Sequence, residues 1–67
     1  METSRTFDLD HGAVFLGIKD SFGKESFHTL YVAGADDIEA EIAKRIAEVE
    51  EQAQTIRSRM TAAGWKP

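Results

Sequence analysis

Sixty-seven residues at 7.4 kDa allow one small domain, because independent cores normally need upwards of about 50 residues each. The composition is 42% hydrophobic and 30% charged with a single Pro, a globular profile that argues against a disordered chain. Eight Lys and Arg against twelve Asp and Glu leave a net charge of −4. That sign excludes a conventional nucleic-acid binder and a basic membrane-surface helix, and zero cysteines exclude a disulfide framework, a thiolate zinc site and a Cys nucleophile.

In chain order, Met1 to Asp10 has no apolar run, so neither a signal peptide nor a membrane span is expected, and the cytosol is the expected compartment. From Arg5 to Val32 the apolar residues follow a two-residue period that predicts strands. The first run, Thr6 to Leu9, stops at Asp10-His11-Gly12, where Gly12 can supply the positive φ of a tight turn. The second, Ala13 to Lys19, sets Val14, Leu16 and Ile18 on one face and Ala13, Phe15 and Gly17 on the other. Asp20 to Lys24 reads as a loop hinged on Gly23. In the third, Ser26 to Val32, Leu30 and Val32 share a face with His28, while Phe27, Thr29 and Tyr31 share the opposite one. Short connections favour hairpins, which predicts a three-stranded antiparallel meander over 5–32.

After Ala33-Gly34-Ala35 the period becomes helical. Asp36 with Glu39 forms a candidate capping box, and apolar residues recur at Ile38, Ile42, Ile46, Val49, Ala53, Ile56, Met60 and Ala63, one stripe of a helix over about 36–63. Gly64 suits the C′ position, Trp65 the apolar contact of a Schellman cap, and Pro67 bars continuation. The expected fold is therefore a single α+β domain over 1–67, with one long C-terminal helix packed on one face of the sheet. A helix of that span is about 40 Å long, whereas the strands cover only about 20 to 24 Å. Part of the helix must overhang, and a chain this small often needs a staple. A monomer with a weak dimer through Ile42, Val49, Ile56 and Met60 is the expectation, the heptad spacing from Ile42 onward supplying the seam.

Two surfaces stand out. Asp36, Asp37, Glu39, Glu41, Glu48, Glu50 and Glu51 crowd the first part of the helix against only Lys44 and Arg45. These charges either solvate a helix face, with Glu41–Arg45 and Lys44–Glu48 as i,i+4 pairs, or form an anionic rod that imitates a phosphate backbone and seats in a basic groove of another protein. On the sheet, Phe15, Phe27 and Tyr31 fall on the face opposite the helix, with nothing to cover them unless Phe22 or the N-terminal segment folds over. An uncovered aromatic face marks an interface. Stacking of RNA bases there is disfavoured by the net charge.

No catalytic pattern accompanies these surfaces, and a non-enzymatic role is expected. His11 beside Asp10 has only sequence adjacency, which does not make a dyad, and Ser4, Ser21, Ser26 and Ser58 lack a nucleophile-elbow context. The glycines form no phosphate loop, and the two His, with scattered carboxylates, give no metal-ligand spacing. No cofactor or metal is implied.

In its size, its lack of Cys, its acidic run from Asp36 to Glu51 and its compact α+β pattern, the whole chain resembles the small phage-encoded inhibitors of the anti-CRISPR type. Those families share no common motif, so the resemblance assigns no residue. The basic end of the chain, Arg57, Arg59 and Lys66, departs from a uniformly acidic DNA mimic. What the resemblance implies is a stoichiometric inhibitor in the cytoplasm of a bacterial host, occupying the basic nucleic-acid-binding surface of a Cas protein complex and blocking target DNA, with no direct nucleic-acid or membrane partner. The alternative is a homodimeric structural or regulatory module assembled through the C-terminal helix.

Overall fold

Residues 1–66 are described in the computed structural model, and Pro67, expected to bar continuation of the helix, lies outside them. Three strands, β1 (Glu2–Asp8), β2 (Ala13–Lys19) and β3 (Glu25–Tyr31), precede one helix, α1 (Ile38–Ala62). The strands pair antiparallel in the order β1-β2-β3, so the fold is an α+β meander followed by a helix. Gly12 (φ 61°) and Gly23 (φ 87°) take the left-handed conformation in the two connections, which glycine reaches without steric penalty. Asp20 is buried beside the second connection, and its Oδ1 accepts the backbone N–H groups of Phe22 at 2.9 Å and Lys24 at 3.0 Å. That carboxylate organises the loop.

β1 begins at Glu2, three residues before the start expected from periodicity, and ends at Asp8, leaving Leu9 in the turn. Its first residues are polar on both faces, so no alternating pattern announces them. They join the sheet through backbone pairing to β2. Directly paired residues point to the same side, so Thr3, Arg5 and Phe7 share the helix side with Val14, Leu16 and Ile18 of β2 and with Ser26, His28 and Leu30 of β3.

The N-cap lies one residue later than expected, and the helix covers Ile38–Ala62. Asp37, at φ −138° and ψ 99°, is the N-cap, and its Oδ1 accepts the Ala40 N–H at 3.1 Å. The Asp36–Glu39 capping box does not form, because Glu39 turns to Arg5, whose Nη1 donates to both of its carboxylate oxygens at 2.6 Å. At the other end Gly64 (φ 104°) follows Ala63, Trp65 N–H donates to the Met60 carbonyl at 2.9 Å, and Gly64 N–H donates to Thr61 at 3.0 Å. These two bonds are the Schellman pattern that Gly64 and Trp65 predict.

Val14, Leu16, Ile18, Leu30, Val32 and Ile42 form the core, with Ala35, Ile46 and Val49 packed against it. Ile42 is 1% exposed. The Arg5–Glu39 pair near one end of α1 and the Ser21–Glu50 contact farther along show that the helix runs from the end of β3 toward the β2–β3 loop. Twenty-five residues make α1 about 37 Å long, against about 23 Å for a seven-residue strand. The molecule is accordingly an elongated body, 47 × 18 × 16 Å, and Ile56 at 54% exposure lies where the helix leaves the sheet.

Candidate interaction surfaces

Seven carboxylates lie between the turn before α1 and the middle of the helix, and the helical repeat disperses them. Glu39 and Glu50 are eleven residues apart, about three turns, and share one flank; Glu41 and Glu48, about two turns apart, share the other; Glu51 points away from the sheet. Several have partners within the chain. Asp37 caps the helix, Glu39 holds Arg5, and Glu48 lies 3.6 Å from Arg45 Nε, in place of the expected Glu41–Arg45 and Lys44–Glu48 pairs. Glu50 Oε2 accepts the Ser21 N–H at 3.2 Å. Hydrogen bonding from the Ser21 side chain, opposed by partial burial and aided by its backbone N–H, holds the Glu50 carboxyl below the usual glutamate range. The seven do not converge on one face, and Glu41 and Glu51 point to different sides of the helix.

The aromatic residues do converge. On the face away from the helix, Phe15 stands at the centre of β2 between Thr6 and Thr29, with Phe27 and Tyr31 on β3. Phe27 is 82% and Tyr31 80% exposed. Gly17 lies directly opposite both Phe27 and Ser4; a Cβ built there would be in ordinary contact with the Phe27 ring at 3.5 Å but only 2.7 Å from Ser4 Oγ. Phe22 does not cover this face. Its ring lies 3.9 Å from the Arg57 guanidinium carbon, which is also 5.6 Å from the Trp65 ring, so the β2–β3 loop is tied to the distal helix by a cation–π contact. Glu2 and Glu25 flank Lys19 at one end of the aromatic face, and Asp8 stands at the other.

Between the distal helix and β3 runs a groove of about 390 Å³, bordered by Val49, Ile56 and Met60 on the helix and by Ser26 and His28 on the strand, with Trp65 closing one end. Ser26 Oγ and His28 Nε2 are 2.8 Å apart within it. Of the residues expected to form a helical dimer seam, Ile42 and Val49 instead pack on the sheet, and Ile56 and Met60 border this groove. His11 pairs with Asp8, Nδ1 to Oδ2 at 2.8 Å, and not with the neighbouring Asp10; the same carboxylate accepts the His11 N–H at 3.3 Å and closes the turn. Among the described residues, no three metal-ligating side chains come together, and no helix is long and apolar enough to cross a membrane.

The chain matches no family model, no curated protein and no solved structure. The surfaces themselves carry the functional argument. Sequence reasoning missed the Arg5–Glu39 bridge and the groove, and no sequence signal marks either, since both arise where the helix crosses particular strands.

Proposed function

We propose that this protein is a non-enzymatic, protein-binding inhibitor of the anti-CRISPR type, which occupies a basic nucleic-acid-binding surface on a CRISPR effector complex and prevents target DNA from binding. The observation that supports the reading is the aromatic face: Phe15, Phe27 and Tyr31 stand exposed together on one side of the sheet. Large aromatic anchors in the middle of a patch are the residues that dominate protein interfaces. Three carboxylates against one ammonium at the ends of the face favour a partner whose apolar recess is rimmed by Lys and Arg, the composition of a nucleic-acid-binding groove. The helix acids then act at longer range, adding to the net charge of −4 that steers encounter with a cationic partner.

The test is a titration of the purified protein into guide-RNA-loaded CRISPR effector complexes of several types, with target-DNA binding read by electrophoretic mobility. One complex should lose DNA binding at a near-equimolar ratio. Phe15→Ala and Tyr31→Ala should each weaken inhibition at least tenfold, whereas reversing Glu41 and Glu51 to Lys should mainly slow association at low salt, as screened surface charges do. Unchanged DNA binding in every complex at large excess of the protein overturns the reading.

A further inference from the structure

The sheet has two outer edges, and they are not equivalent. Two main-chain bonds bracket β3, from Asp20 N–H to the Lys24 carbonyl at 3.0 Å and from Val32 N–H to the Gly12 carbonyl at 2.8 Å. Hydrogen-bonded pairs alternate along an antiparallel ladder, so the even-numbered residues of β3 direct their backbone groups at β2. The odd-numbered residues Phe27, Thr29 and Tyr31 direct theirs outward, along the open edge. The same alternation, carried through β2, turns the N–H and C=O groups of Thr3, Arg5 and Phe7 outward on β1. That edge is guarded, because Arg5 at its centre points its guanidinium toward the helix side and is fixed there by Glu39; an inward-pointing charge is a device that natural sheets use against edge pairing. On β3 the outward positions are aromatic or hydroxyl, the only charged side chain is Glu25 at one end, and there is no Pro.

From this asymmetry we propose that β3 pairs antiparallel with β3 of a second copy about a two-fold axis at Thr29, making one continuous six-stranded sheet. The strand is self-complementary in that register. Thr29 faces Thr29 of the second copy, Phe27 faces Tyr31 at both ends, and all three pairs join residues whose backbone groups point outward, giving about six main-chain hydrogen bonds. Aromatic cross-strand pairs are among the stabilising ones. Glu25 faces Ala33, so no like charges are opposed. Shifting the axis to His28 would set two imidazoles opposite each other and place Phe27 against Thr29, losing the aromatic pairs. Each helix packs on Val14, Leu16 and Ile18 of β2 and on Leu30 and Val32 beside them, and pairing through β3 sets the β2 strands of the two copies three spacings, about 14 Å, apart. A second copy thereby serves as the staple that a core of this size calls for. The inference does not depend on the proposed inhibitory role, since it concerns the edge and not a foreign partner.

Sedimentation across a concentration series tests it on the full chain. A monomer–dimer equilibrium is expected. Thr29→Pro removes an N–H that the ladder alternation directs away from β2, and should weaken the dimer at least tenfold with the circular dichroism retained. Should that variant fail to fold, Thr29→Lys decides, because it keeps the N–H and sets two ammonium groups at the axis. Ile56→Asp should leave the dimer intact. The chain has no cysteine of its own, and facing Cα atoms about 5.5 Å apart lie within disulfide reach, so Thr29→Cys should cross-link the dimer under mild oxidation while Thr55→Cys on the exposed helix should not. A monomer at every concentration, a dimer indifferent to the Thr29 variants, or equal cross-linking through position 55 overturns the proposal.

Discussion

At the scale of the residue, local geometry decides more than residue type. Gly12 combines a φ of 61° with close approach, since a Cβ there would lie 2.6 Å from the Ala33 Cβ. Gly12→Ala should therefore destabilise by about 2 kcal/mol or more, from the left-handed conformation and the clash together, and should lower the melting temperature by roughly 10 °C in a domain of this size. Glu50 provides the pH-dependent counterpart. Its carboxyl is held below the usual range chiefly by Ser21, so the charged form is favoured in the folded state. The stabilisation is present above the unfolded-state pKa and disappears as pH falls through the folded-state value. Melting curves of Glu50→Gln and the parent protein should differ at pH 7 and converge only at a pH below the ordinary glutamate range of about 4.3, once the lowered carboxyl is protonated; a constant difference down to acid pH would refute this account of Glu50.

At the scale of the element, one apolar stripe has two different fates. Ile42 lies under the helix against Val14, Leu16, Leu30 and Val32, whereas Ile56, on the same stripe, is more than half exposed. The spacing of the two is equally regular in the sequence. Ile42→Ala should cost about 2 to 5 kcal/mol, the range for a buried large-to-small change, enough to unfold much of the population of a small domain. Ile56→Ala should cost below about 1 kcal/mol. Urea denaturation of the two variants measures the contrast, and equal costs would mean that the distal helix is covered in solution. The cap shows how an element boundary is resolved by tertiary contact: Asp36 and Asp37 are both good cap residues by type, and the capture of Glu39 by Arg5 withholds the reciprocal side chain that an Asp36 capping box requires.

Considered whole, the molecule is a short sheet carrying a long helix, and its charge is arranged along that length. Asp37, Glu39 and Glu41 stand at the helix start and Arg57, Arg59 and Lys66 near its end, matching the sign of the helix dipole at each terminus. The core cluster lies on the helix side of the sheet, and on the other face Ala13 alone is buried among the described residues. A three-stranded sheet with one helix has a single covered face, and that simple count leaves Phe15, Phe27 and Tyr31 without cover. The distal helix is not wholly free either, because Arg57 stacks on Phe22 and Trp65 folds back over the last turn.

By itself the sequence determined the strand and helix identities, the meander order, the sheet face that meets the helix, and the Schellman end at Gly64 and Trp65. These follow from periodicity, connection length and backbone permissiveness, all properties of neighbouring residues. The start of β1 at Glu2 was not legible, because a strand held by backbone pairing along an exposed edge needs no apolar alternation. Only the tertiary structure decided which acids were free: seven carboxylates close together in sequence separate around a helix with 3.6 residues per turn, and Arg5 and Ser21 each engage one of them from another element. Only the tertiary structure, again, decided between the two edges of the sheet. The protection of β1 is an ion pair across 34 positions, a distance in sequence over which no local pattern operates.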